Sequence, residues 1–98
     1  MFVKADIQKE SEVKNLIGKT VDAYGRLDVA VNNAGIEYNS DDFTTDSTAR
    51  HLEVINTNLV GTMYCLRSEV EQMKKQKGLL WKNYCFRMLR SKKCSKDL

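Results

Sequence analysis

Asn32-Asn33-Ala34-Gly35 is the stretch of this 98-residue sequence best suited to meeting a ligand. Two amides that both donate and accept precede a residue with no side chain, so the backbone there can be approached closely. The stretch follows directly on Leu27-Asp28-Val29-Ala30-Val31, whose nearly continuous apolar character fits a strand covered on both faces in a parallel sheet. In open parallel sheets ligands bind at the carboxyl edge of the strands, which is where the Asn-Asn-Ala-Gly turn falls. An isolated turn would need no ligand, because Asn and Gly are common turn formers in any fold. Asp6 is a second candidate: a carboxylate just before a helix, which even without a ligand gains roughly 0.3 to 1 kcal/mol from the dipole. Asn58, inside a long helical pattern, is a third, with bonding to a neighbouring carbonyl as its plain structural alternative. His51 has no Ser or Cys motif to work with and reads as a solvated helix residue rather than a base. Cys65, Cys85 and Cys94 are odd in number and far apart, with no C-x-x-C pair. They read as free thiols in a reducing compartment, without disulfide or metal, and a cytoplasmic location is the expectation.

The elements that would position these residues follow from periodicity. Val13, Leu16, Ile17, Thr20, Val21 and Tyr24 fall on one helical face, and Gly25 follows as a natural terminator, so a helix is predicted over about residues 9 to 24. Phe2-Val3 could precede it as a strand, making residues 2 to 32 a strand, helix, strand crossover. Residues 37 to 46 have a loop composition with several N-caps. Leu52, Ile55, Leu59, Met63, Leu66, Val70 and Met73 then recur at intervals of three and four, predicting a long helix over residues 46 to 75. A second strip of Val54, Val60, Tyr64 and Cys65 makes the apolar surface wider than one sheet face needs, as a deeply packed helix or a partner surface would require.

Composition bounds the rest. With 42% apolar and 30% charged residues, no proline and no run near the roughly 18 apolar residues that span a bilayer, the chain reads as one small soluble globular domain. Residues 1 to 78 carry 10 Lys/Arg against 12 Asp/Glu, whereas residues 79 to 98 carry 6 against 1. The net charge of +3 therefore belongs to a basic amphipathic tail built round Trp81, Tyr84, Cys85 and Met88. Two regions are expected, 1 to 78 and 79 to 98. The tail reads first as an extension that packs opportunistically. Contact with an anionic membrane or a calmodulin-type groove ranks below that, and nucleic-acid binding ranks last.

Three segments together resemble the short-chain dehydrogenase/reductases, NAD(P)-dependent oxidoreductases on a Rossmann fold. They are Ala5-Asp6-Ile7, the block from Tyr24 to Gly35, and Asn58-Leu59-Val60-Gly61. The resemblance covers residues 1 to about 78 and implies an incomplete α/β Rossmann unit of strand, helix, strand and long helix. It implies NAD or NADP as the cofactor, with Asp6 and Ile7 meeting the adenine after the third strand. Asn33, Ala34 and Gly35 would contact the cofactor at the end of the fourth strand. Asn58 matches the family's catalytic Asn, whose part is to hold a water that links the catalytic Lys to solvent. The long helix corresponds to one that commonly lies in a subunit interface, so a homo-oligomer or association with a full-length relative is a further expectation.

Departures from the family pattern are equally readable. Pyrophosphate binding needs a glycine-rich turn at a helix N-terminus, and Gly18, Gly25, Gly35, Gly61 and Gly78 are too far apart to form one. Carbonyl reduction in the family uses a Ser and a Tyr-x-x-x-Lys pair. Four residues after Tyr24, Tyr38, Tyr64 and Tyr84 stand Asp28, Asp42, Ser68 and Met88. The chain is therefore expected to be catalytically silent alone. The competing expectation is a non-catalytic interaction protein that dimerises through helix 46 to 75.

Overall fold

A computed structural model of the chain describes residues 1–76; the expectations for the basic tail, residues 79 to 98, lie outside the described residues. The first helix, α1, runs Glu10–Tyr24, matching the predicted span. Asp6 and Glu12 organise its entry reciprocally. Gln8 N donates to Asp6 Oδ1 (3.0 Å) while Asp6 N donates to Glu12 Oε2 (2.7 Å), a long-reach version of a capping box. Gly25 closes the helix at φ 81°, its N–H donating to the Val21 carbonyl at 2.7 Å. Val13 is fully buried, Leu16, Ile17, Thr20 and Val21 are half-buried, and Tyr24 at the end of the stripe is exposed.

The predicted long helix is helical throughout Thr48 to Lys75 but is not one regular element. It consists of α2 (Thr48–Ile55), a π-helical segment (Asn56–Gly61) and α3 (Thr62–Lys75). Ser47 opens it, its hydroxyl accepting from Arg50 N at 3.2 Å. The apolar stripe is open along its first half and buried at its end, where Met73 is 2% exposed. Leu52, Ile55, Leu59 and Met63 are all about half exposed or more, while the buried positions include Thr57, Gly61, Cys65, Glu69 and Met73. These recur every fourth residue and are mostly small or polar. The reason is proximity: α3 packs against α1, and a Cβ on Gly61 would lie 2.8 Å from Ile7 Cγ1. At Gly61 no larger side chain fits, whereas further along the same line the large Met73 is buried.

The strand, helix, strand expectation is not met: among the described residues there is no strand. Phe2 is 88% exposed, and in the Leu27–Val31 segment expected to be covered on both faces Leu27 is buried but Val29 is 71% and Val31 83% exposed. The resemblance itself supplies the physical reason. In the doubly wound order 3-2-1-4-5-6, the third and fourth strands are separated by the second and first, so residues 2–3 and 27–31 have no business pairing with each other. A strand is defined by its neighbour's hydrogen bonds, and neither segment finds that neighbour here.

Side chains of the long helix hold the 27–36 segment instead. Leu27 N donates to Gln76 Oε1 (2.7 Å) and Gln76 Nε2 donates to the Leu27 carbonyl (2.9 Å). Asn32 Nδ2 donates to Glu69 Oε2 (3.0 Å). Ile36 N donates to Asn58 Oδ1 (2.8 Å) and Asn58 Nδ2 donates to the Ile36 carbonyl (2.8 Å). Positions 27, 32 and 36 thus meet 76, 69 and 58 in reverse order: the segment runs antiparallel to the helix that follows it. Two of these three anchors satisfy a backbone N–H and C=O together, as a strand neighbour would.

Candidate functional site

Three of the predicted site residues, Ile7, Gly35 and Asn58, meet at the π-helical segment. Insertion of an extra residue into a helical turn re-aims its side chains and recurs at functional sites. Here it places Thr57, Asn58 and Gly61 against two separate loops. On one side Gln8 Nε2 donates to Thr57 Oγ1 at 2.9 Å, and Ile7 packs onto bare Gly61. On the other, Asn58 holds Ile36, and a Cβ on Gly35 would come 3.2 Å from Asn58 Oδ1. The Asp6-Ile7 entry and the Asn32–Gly35 turn are therefore tied to one short piece of helix.

Each predicted residue has a definite setting. Asp6 is exposed, with Oδ1 occupied by Gln8 N and Oδ2 3.8 Å from Lys9 Nζ. Ile7 is half-buried, and Asn33, Ala34 and Gly35 are all exposed. The close approach that Gly35 permits is made by Asn58. The side chain of Asn58 is committed to Ile36, and its carbonyl accepts from Thr62 Oγ1 at 2.9 Å. His51 is more enclosed than a solvated residue: its ring lies 5.2 Å from Phe43 and 5.7 Å from Tyr38, with Nε2 3.7 Å from Asp46 Oδ2.

The loop after the turn is organised by Asp46, whose Oδ1 accepts from Tyr38 Oη (2.7 Å) and Ser40 Oγ (2.5 Å). The Ser40 hydroxyl, followed by that of Tyr38, holds the Asp46 carboxyl below the usual range, and bonding to Asp46 pushes the Tyr38 phenol up.

Glu69 and Gln76 were not among the predicted residues. Glu69 is 4% exposed and lines a hollow of about 310 Å³ with Leu16, Val29, Asn32 and Cys65. Burial raises its carboxyl above the ordinary glutamate range, with Asn32 opposing that rise. Burial, and then the Glu69 charge, likewise raise the Cys65 thiol. The signal that could have located Glu69 is register: a lone acid on the Thr57-Gly61-Cys65-Met73 line must face the packed side.

The backbone at 33–35 and the Asp6 side chain are both open to solvent. Among the described residues no glycine-rich turn opens a helix, so no diphosphate cradle accompanies them. No group of three or more His, Cys, Asp or Glu among the described residues could hold a metal ion, and no described helix is long and apolar enough to cross a membrane.

Comparison with known proteins shows which family the chain is similar to. The family model for short chain dehydrogenase matches residues 1–79. A short chain dehydrogenase/reductase, astE, of Aspergillus oryzae is 33% identical over 78 residues, covering 80% of this chain and 30% of the relative. An uncharacterized oxidoreductase of Thermotoga maritima is 42% identical over 81 residues, covering 79% and 30%. Among solved structures, ElxO with NADP bound superposes with a TM-score of 0.72 at 39% identity, over 76% of this chain and 30% of that one. The aldohexose dehydrogenase of Thermoplasma acidophilum, ligand-free, gives 0.67 at 30% identity, over 72% of this chain and 28% of that one. The chain spans about 30% of the length of the curated relatives it matches.

Proposed function

Because this chain belongs to the short-chain dehydrogenase family, we propose that residues 1–76 are the adenosine-side portion of an NAD(P)-dependent oxidoreductase unit. The observation that supports this is the meeting of Ile7 and Gln8 on one side, and Gly35 and Ile36 on the other, with the π-helical segment. In this reading Asp6 and Ile7 border the adenine, and the Asn33–Gly35 backbone lies along the cofactor. The cofactor, when bound, supplies the hydride exchanged with an alcohol or carbonyl. Asn58 acts by fixing Ile36 and so the exit of the turn, which keeps the exposed residues in one conformation. Residues 2–3 and 27–31 become third and fourth strands when the intervening strands lie beside them.

The chain alone lacks both the phosphate turn and the Tyr-x-x-x-Lys pair, so binding without turnover is the expected behaviour. Titration of ¹⁵N-labelled protein with NAD(H) and NADP(H) should move the amides of Asp6, Ile7 and Asn33–Gly35 and leave α3 beyond Thr62 unmoved. Shifts confined to other regions would overturn the site, and consumption of NAD(P)H with any carbonyl would overturn the silence.

A second reading rests on one specific observation. Leu52, Ile55, Leu59 and Met63 form a row along α2, the π-helical segment and the start of α3 and are 47 to 59% exposed. Such a stripe is the surface a homo-oligomer or a full-length relative would cover. Sedimentation should then show a concentration-dependent dimer that Leu59→Glu abolishes. A monomer at all concentrations would end this reading without touching the first.

A further inference from the structure

The geometry points to Glu69 as a positioning residue that, through Asn32, fixes the entry of the Asn33–Gly35 turn for the nucleotide. This deepens the cofactor reading above and rests on it. Turn residues 33–35 are exposed and make none of the anchoring bonds themselves. What holds them lies at the flanks: Asn58 takes both backbone groups of Ile36, and Glu69 takes the Asn32 side chain at 3.0 Å. Removing either flank frees the three residues between.

Glu69 suits this task because of where it sits. It is 4% exposed, on the buried line of α3, and its partner is 37 residues away in sequence. A buried carboxylate is retained at a cost in solvation, which only a partner offsets. An amide N–H donating to an ionised oxygen is the stronger, shorter kind of hydrogen bond. The other ionisable side chain lining the same hollow, among the described residues, is Cys65 on the preceding turn of α3. Its raised thiol stays neutral where Glu69 titrates.

The sign of the pH effect follows. Burial raises Glu69 above its unfolded value, so the folded chain holds this proton to higher pH than the unfolded chain does. Its contribution to stability is therefore complete below the unfolded value and declines as pH rises through the folded one. The grip on Asn32 moves the opposite way, strengthening as the carboxyl ionises.

The test reads the Asn32 side-chain NH₂ resonances and the Asn33–Gly35 amides by NMR, in wild type, Glu69→Gln and Glu69→Ala, across pH 4 to 8. In wild type the Asn32 NH₂ signals should titrate with a midpoint above the ordinary glutamate range. In Glu69→Gln, which keeps an acceptor and loses the charge, they should stop titrating while the turn amides stay in place. In Glu69→Ala the Asn32 NH₂ should move to a solvent-like position, the turn amides should shift, and NADP should bind about fivefold more weakly, the scale of one lost hydrogen bond. An Asn32 NH₂ signal indifferent to pH in wild type, or Glu69→Gln displacing the turn as far as Glu69→Ala, would overturn the assignment. Should the alanine variant not fold, the wild-type titration and the glutamine variant decide. If NADP shifts nothing in wild type, the cofactor reading fails, while the ligand-free titration still judges the clamp.

Discussion

Gly61→Ala is expected to destabilise the chain by about 1 to 3 kcal/mol, the usual cost of forcing a methyl group into a filled contact. The added Cβ would lie 2.8 Å from Ile7 Cγ1, 2.9 Å from Ile7 Cδ1 and 3.1 Å from the Ile7 carbonyl oxygen. A flexible side-chain tip could swing aside, but Cγ1 is held by β-branching and the carbonyl belongs to the entry of α1. Moving it would disturb Asp6, whose carbonyl accepts from Lys9 N at 3.0 Å. In a domain of this size each kcal/mol corresponds to roughly 4 to 8 °C in Tm, so thermal unfolding reads the effect directly. Ile7→Ala in the same background removes both close side-chain carbons and should recover part of the loss, giving a coupling between the two sites. An unchanged Tm for Gly61→Ala would mean that Ile7 does not rest on the helix, and the convergence of the two loops would be lost with it.

That contact also explains what could be read in advance and what could not. The helix Glu10–Tyr24 was legible because its apolar spacing, its terminating Gly25 and its length are all local signals. The helical extent of Thr48–Lys75 was legible for the same reason. Its inward face was legible only in part: periodicity marks Met73 and, in the second strip, Cys65, which are buried, but also Leu52, Ile55, Leu59 and Met63, which are not, and it passes over Thr57, Gly61 and Glu69. Periodicity reports that a greasy face exists, and only the distance to the neighbour decides whether large or small residues line the contact. The strands failed for a related reason. Leu27–Val31 has the composition of a buried strand, yet pairing depends on segments that composition cannot bring alongside. The nucleotide-edge residues could be listed from family resemblance, but the hydrogen bonds that hold the segment come from Glu69, Gln76 and Asn58, whose amide bonds backbone groups 22 residues away in sequence.

Asn58 supplies the second large effect, because its side chain satisfies a donor and an acceptor of one residue at once. Asn58→Ala removes both bonds to Ile36 and should cost about 1 to 2 kcal/mol, moderated because the freed groups can meet water. Asn58→Asp is close to isosteric and should nonetheless be no better at pH 7. One oxygen still accepts from Ile36 N, but the other replaces a donor with an acceptor facing the Ile36 carbonyl at hydrogen-bond distance. Protonation restores a donor there, so the deficit relative to wild type should shrink as pH falls and the introduced carboxyl takes up a proton. The comparison must be made against wild type at each pH. Asp42, whose carboxyl is lowered by bonds from the Thr44 hydroxyl and backbone N–H, itself withdraws stability on acidification. Denaturant midpoints at pH 7 and pH 4 for the three proteins are sufficient. Stability of Asn58→Ala at the wild-type level would mean that the bonds to Ile36 do not hold the turn. A loss that eases on acidification only in the aspartate variant would instead make the Ile36 clamp the reason an amide occupies this turn of the helix.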